Sequence, residues 1–171
     1  MIPDARLLLK HLMLDEPHVR TTLLNRFASA GVALDRVSCL GKSDRALHLR
    51  AFDEIDISLD PFPQNGGVST WESLYTGVPV VAKLGTTTSS RAAASILSSV
   101  GLSEFIAPDD EAYVEIACRA VASPLALAEL RAGLPGRIAT SEAGDPVRYT
   151  RAVESWYRRF WRDYCARSSL P

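Results

Sequence analysis

Short apolar runs alternate along this chain with longer segments whose apolar residues recur every three or four positions. Residues 6–9 (RLLL) predict a first strand. Leu23, Leu24 and Phe27 mark a helix over residues 19–30, with Gly31 placed to close it. Residues 37–40 predict a second strand, residues 45–52 a short helix and residues 55–59 (IDISL) a third strand. The breaker-rich run DPFPQNGG, Asp60 to Gly67, ends that strand. A helix over residues 69–76 stops at Gly77, and residues 79–82 (PVVA) form a fourth strand. A helix over residues 89–100 stops at Gly101, a short fifth strand covers residues 104–107, and residues 110–122 are again helical.

Strand and helix in strict alternation, joined by short links, describe a parallel sheet covered on both faces. With right-handed crossovers the expectation is an α/β, Rossmann-like three-layer lobe over residues 1–123. From about Ser123 the strands cease, and residues 124–171 read as a C-terminal helical tail. Residues 125–131 predict a short helix, and Asp145-Pro146 starts a long one with a cap followed by proline. That last helix carries Val153, Trp156, Tyr157, Phe160, Trp161 and Tyr164 on one stripe, with Arg148, Arg151, Arg158, Arg159 and Arg162 opposite. Such a helix serves either a membrane or partner surface, or docks on its own protein with a solvated polar side. The acids nearby favour docking, on this lobe or on another.

Composition narrows the function classes. Apolar residues make up 47% and charged residues 23% of 171, as in an ordinary globular domain. The net charge of −1 gives no electrostatic reason to bind nucleic acid or an anionic membrane. No apolar run is long enough to span a bilayer, and no signal-peptide core opens the chain, so a cytoplasmic setting is expected. Cys39, Cys118 and Cys165 are widely spaced without a CxxC pair, which predicts reduced, buried thiols and no metal site.

Ligands of open parallel sheets bind beyond the carboxyl ends of the strands. The second strand runs into Gly41-Lys42-Ser43-Asp44-Arg45 and then His48; the third runs into Gly66-Gly67 and a helix start. Glycines there let backbone approach a ligand, and the unpaired N–H groups of a helix start suit a phosphate. Glu72 admits two readings: Ser69-x-x-Glu72 has the spacing of a capping box, and a carboxylate here also suits two adjacent ribose hydroxyls. His48 is a packed helical histidine or a ligand contact, and Lys42 and Arg45 before it could neutralise a phosphate. No Walker loop, GxGxxG, Ser-His-Asp or Cys-His grouping is present, and nothing stands out as a general base.

From His48 to Ala107 a set of motifs runs in order: DISLDPFP, then NGG, then ESLYTGVPVV, then SRAAAS and a closing GLSEFIA. Together they resemble the C-terminal catalytic lobe of O-linked N-acetylglucosaminyltransferases, including bacterial and plant relatives attached to tetratricopeptide repeats. PDARLLLK at the start and the Trp161/Tyr164 pattern at the end extend the likeness to nearly the whole chain. The resemblance implies the C-terminal lobe of a GT-B glycosyltransferase. Its donor is a UDP-sugar such as UDP-N-acetylglucosamine, used without a metal or other cofactor, and its acceptor a protein Ser or Thr hydroxyl. The family's uridine-side histidine falls on His48, its basic diphosphate residue on Arg45 (or Lys42), its phosphate-donating threonine pair on Val68 and Ser69, and its ribose-holding acid on Glu72. Val68 departs from the pattern, because it keeps the backbone N–H and lacks the hydroxyl. The family lobe also begins with one more strand, whose loop carries a phosphate-gripping Gln and Lys; this chain opens about where the following strand starts. The N-terminal lobe with its proposed catalytic histidine, and the repeats, lie outside it. The expected function is a nucleotide-sugar-binding lobe, inactive alone. The alternatives are a non-catalytic binding module, or a GT-B transferase of another sugar or acceptor.

Overall fold

The computed structural model describes residues 2 and 4–168. The strands are β1 (Leu7–Lys10), β2 (Val37–Leu40), β3 (Ser58–Leu59), β4 (Val80–Lys83) and β5 (Ile106–Ala107). The helices are α1 (Pro17–Ser29), α2 (Arg45–Arg50), α3 (Val68–Tyr75), α4 (Ala92–Ser99), α5 (Asp110–Ala120), α6 (Pro124–Thr140) and α7 (Pro146–Ser168). All strand pairs are parallel, as the alternation predicts. They do not form one continuous sheet: β1 pairs with β2, and β3, β4 and β5 form a separate ladder in that order.

Local chemistry explains most boundaries. Gly31, Gly77 and Gly101 end their helices at φ of 79°, 80° and 70°, the left-handed region that a Cβ disfavours. Asp44, Asp109 and Ser123 cap α2, α5 and α6 by accepting from Leu47, Ala112 and Ala126 amides. β3 is shorter than residues 55–59 because the Arg131 guanidinium takes the Ile55 and Asp56 carbonyls at 2.7 and 3.1 Å. Helix α4 starts late because Thr87 and Ser90 close a tight turn on each other at 2.9 Å. Helix α6 continues nine residues beyond the expected end at 131, through Gly133, Pro135 and Gly136. Leu127, Leu134 and Ile138 recur on one buried face, and that packing outweighs the breakers. Pro135 cannot donate to the Arg131 carbonyl, which lies against Gly77; a Cβ on Gly77 would stand 3.0 Å from that oxygen.

The core surrounds β4, whose Val80, Val81 and Ala82 are buried against Leu74 of α3, Leu97 of α4, Ile116 of α5 and Leu134 and Ile138 of α6. The first two strands are less covered, and α1 buries no residue fully. The aromatic stripe of α7 is uncovered: Trp156, Tyr157, Phe160, Trp161 and Tyr164 are all more than half exposed, so of the two docking surfaces expected it does not use this lobe. Within the described residues that helix meets chiefly the turn at Glu142–Gly144. Residues 169–171 of the expected tail lie outside the described residues. Cys39, Cys118 and Cys165 are half-buried rather than buried.

Candidate functional site

The Asp44 cap fixes the first turn of α2 and sets Arg45 and His48 three residues apart on one face. Across from them, Glu72 projects from α3. Arg45 Nη1 stands 2.8 Å from Glu72 Oε1, and His48 Nε2 stands 3.0 Å from Oε2. One carboxylate therefore ties α2, which follows β2, to α3, which follows β3. Burial pushes the Glu72 carboxyl up, but the hydrogen bonds and charges of His48 and Arg45 outweigh it and hold it below its ordinary value. His48 is braced edge-on by Phe52, ring centres 5.8 Å apart.

The capping-box reading of Ser69 and Glu72 is not realised. Helix α3 starts one residue early, at Val68, with Gly67 as a cap that has no side chain to offer. With both oxygens engaged by α2, Glu72 does not turn back to the cap, and among the described residues α3 has no side-chain cap. Such a terminus, with Arg45 exposed beside Glu72, presents positive potential to solvent.

The remaining expected positions fall into place unevenly. Gly66 is sterically required, because a Cβ there would meet Ser69 Oγ at 2.5 Å and Asp60 Oδ1 at 2.9 Å. Gly67 has open space around it, so its lack of a Cβ is not forced by packing. Val68 is exposed, as is Ser69. Lys42 is exposed and gives its backbone N–H to Asp15; the basic contact to Glu72 comes from Arg45 instead.

The sequence reading missed Asp60, taken only as the start of a breaker run. It is 4% exposed, and its Oδ1 accepts the Gly66 N–H at 2.7 Å while its carbonyl accepts from the Tyr113 hydroxyl at 2.9 Å. It thereby folds the loop that delivers Gly66 and Gly67 to α3. Asp60 Oδ2, Asn65 Oδ1 and Thr70 Oγ1 are buried without a partner among the described residues. The available signal was an aspartate placed directly after the apolar run IDISL and six positions before Gly66.

Burial raises the Asp60 carboxyl to about 6, against the lowering pull of the Gly66 N–H and Asn65. Between about 4 and about 6 the folded chain thus holds a proton that the unfolded chain releases, so this group lowers stability as pH rises through that window. Asp60→Asn keeps an acceptor for Gly66 and removes the titration. Urea unfolding should show the variant gaining on the parent by up to ~2–3 kcal/mol between pH 4 and pH 7. A stability difference that does not change with pH would contradict this assignment.

A cleft of about 470 Å³ opens beside this cluster, lined by Lys10, His11, His48, Asp60, Ser69 and Thr70 at its polar end. Among the described residues no helix is long and apolar enough to cross a membrane.

The lobe is a parallel α/β layer structure, with a helix start suited to an anion and an ion-paired acid at the carboxyl ends of its strands. The profile of glycosyl transferase family 41 matches residues 2–153, and the chain belongs to that family. It is 37% identical over 165 residues to a probable UDP-N-acetylglucosamine–peptide N-acetylglucosaminyltransferase SPINDLY of Oryza sativa subsp. japonica, covering 96% of this chain and 18% of that protein. A UDP-N-acetylglucosamine–peptide N-acetylglucosaminyltransferase of Caenorhabditis elegans is 28% identical over 91% of this chain and 13% of its own length. Among solved structures, a mutant Thermobaculum terrenum O-GlcNAc transferase superposes with a TM-score of 0.86 at 31% identity, over 96% of this chain and 32% of that one. The fold is that of the C-terminal lobe of a GT-B glycosyltransferase. The chain spans about a fifth of the plant relatives it matches and about a third of the solved one.

Proposed function

We propose that this chain is the donor-binding lobe of a protein O-glycosyltransferase and holds a UDP-sugar of the UDP-N-acetylglucosamine class. The observation that carries this reading is the Arg45–Glu72–His48 cluster beside the uncapped start of α3. Glu72 uses one lone pair on each oxygen for its protein partners and keeps others for the two ribose hydroxyls. His48 lies against the base. Arg45 and the amides of Gly67, Val68 and Ser69 face the diphosphate, and Val68 contributes through its N–H alone. These groups neutralise charge that grows on the departing UDP, which is how a binding lobe lowers a transfer barrier. No metal is needed for that neutralisation.

In this reading the chain alone binds UDP and transfers no sugar. Glu72 is held by Arg45 and His48 and is assigned to the ribose, so it is not placed as the base for an acceptor hydroxyl. The second lobe and the repeats belong to the longer transferase, and the acceptor is a protein hydroxyl presented to it. UDP affinity should be weak, since the family's Gln and Lys contacts lie outside the chain. Two charge-assisted bonds of roughly 1.5–3 kcal/mol amount to a factor of about a hundred or more. Calorimetric titration with UDP, paired with a radiolabelled-sugar transfer assay, tests both halves. Turnover by this chain alone would overturn the inactive-lobe reading. Saturable UDP binding without turnover also fits a non-catalytic binding module; restored transfer on adding the N-terminal lobe would exclude it.

A further inference from the structure

The β1–β2 register ends at Lys10 and Leu40, and one further main-chain bond follows it, from the His11 amide to the Leu40 carbonyl at 3.1 Å. The loop Gly41-Lys42-Ser43 then leads into α2. Among the described residues, no main-chain hydrogen bond holds these three residues. A loop without such bonds takes its shape from whatever else engages its polar groups.

Three side-chain bonds do so, from two residues at and just beyond the end of β1. The Lys10 ammonium donates to the Gly41 carbonyl at 3.1 Å and to the Ser43 hydroxyl oxygen at 2.8 Å. Asp15 Oδ2 accepts the Lys42 amide at 2.9 Å. Each of these bonds has a charged partner, which makes it one of the stronger kind. Asp15 is itself held in a well-built turn, Leu12–Asp15. There His11 Nδ1 accepts the Met13 amide at 3.2 Å, Leu14 is buried, and Arg20 donates to the Leu14 carbonyl at 2.8 Å. Gly41 fits the same arrangement. Its φ lies outside the left-handed region, so no turn demands glycine, yet a Cβ there would overlap the Asp15 carboxylate. The glycine makes room for the protein's own acid.

The loop passes directly into Asp44, whose carboxylate caps α2 by accepting the Leu47 amide at 2.8 Å. A shift of residues 41–43 is therefore transmitted to the first turn of α2. Arg45 and His48 stand in that helix, 2.8 and 3.0 Å from Glu72.

We propose that Lys10 and Asp15 are positioning residues of the donor site: they lock the Gly41–Ser43 loop, and the locked loop sets Arg45 and His48 against Glu72. Neither has to touch the nucleotide. The proposal rests on the reading of the Arg45–Glu72–His48 cluster as a UDP site. Charge separates a lock from a simple field effect. As bare charges, Lys10 would favour a bound diphosphate and Asp15 would oppose it, so removing Asp15 would tighten binding. As a lock, both favour binding, and removing either one weakens it.

Ligand-observed NMR titrations of the full 171-residue chain with UDP, and separately with uridine, test this on Lys10→Met, Asp15→Ala, Lys10→Arg and Asp15→Asn. The expected result is UDP affinity about tenfold weaker in Lys10→Met and in Asp15→Ala, the fold-change of one or two charge-assisted bonds. Uridine should weaken by a similar factor, because His48 is displaced together with Arg45. Lys10→Arg keeps the charged donors and Asp15→Asn keeps an acceptor for Lys42, so both should lie within about threefold of the parent. Asp15 is exposed, so Asp15→Ala carries the test even where Lys10→Met does not fold. Unchanged or tighter UDP binding in Asp15→Ala would overturn the proposal. So would a Lys10→Met variant that loses UDP and keeps uridine, the mark of a direct phosphate contact. Amide exchange and His48 ring resonances of the nucleotide-free chain separate failure of the lock from failure of the UDP reading. Exchange of the Lys42 amide about tenfold faster in Asp15→Ala, with displaced His48 resonances, supports the lock whether or not UDP binds. Unmoved His48 resonances would overturn it.

Discussion

Replacing Glu72 with alanine is expected to weaken UDP binding by about ten- to a hundredfold while leaving the chain folded. The carboxylate lost is the one that would accept from the ribose. It also holds Arg45 and His48 in register at 2.8 and 3.0 Å, so their contributions loosen with it. Charge-assisted hydrogen bonds of roughly 1.5–3 kcal/mol correspond to that range of affinity. Stability should change little, because the Arg45 side chain is 73% exposed and an ion pair so placed adds at most ~1 kcal/mol. Nor is a helix cap lost, since Gly67 rather than Ser69 caps α3. Calorimetry gives the affinity and a thermal melt gives the stability. An unchanged UDP affinity in Glu72→Ala would remove Glu72 from the site.

Two residues further along the same helix, Leu74→Ala should do the reverse. Leu74 is fully buried where α3 meets the β4 core, with Val80, Leu97 and Leu134 in the same cluster. Truncating a buried leucine removes its transfer energy and leaves a cavity, at a cost of about 2–5 kcal/mol. For a domain of this size that is a large part of the total stability. Urea unfolding should show a lowered midpoint with little change in slope. At a temperature where the variant is folded, its UDP affinity should lie within about threefold of the parent, because Leu74 faces away from the cluster. Tenfold weaker nucleotide binding with unchanged stability would mean that the functional and core faces of α3 are assigned the wrong way round.

How much of this was legible in the sequence follows from which forces decide each feature. Wherever glycine had to adopt a left-handed turn or an aspartate or serine capped a helix, local chemistry set the boundary; Gly31, Gly77, Gly101, Asp44 and Asp109 are such positions. Where a distant contact decided, local signals misled. Arg131 shortens β3 from 75 residues away, and the buried stripe of α6 carries the helix through Pro135. The division into two ladders could not be read from hydropathy either, because an edge strand such as β1 can have the same apolar composition as one inside a sheet. The motif run from His48 to Ala107 placed the candidate site, and spacing alone could not choose between a cap and a ligand role for Glu72. The structure brings Arg45 and His48 onto that carboxylate, while Asp60, which shapes the loop beneath it, looked like punctuation. The exposed aromatic stripe of α7 was visible as a stripe, and what it meets was not.

The proposed place for a uridine diphosphate is between α2 and the start of α3. A two-dimensional amide NMR titration of the isotopically labelled chain with UDP tests it most directly. The account predicts saturable shifts centred on Arg45, His48, Gly66, Gly67, Ser69 and Glu72, with the amides of α7 unmoved. Shifts centred elsewhere, such as along the arginines of α7, or no saturable shift at all at millimolar UDP, would contradict it.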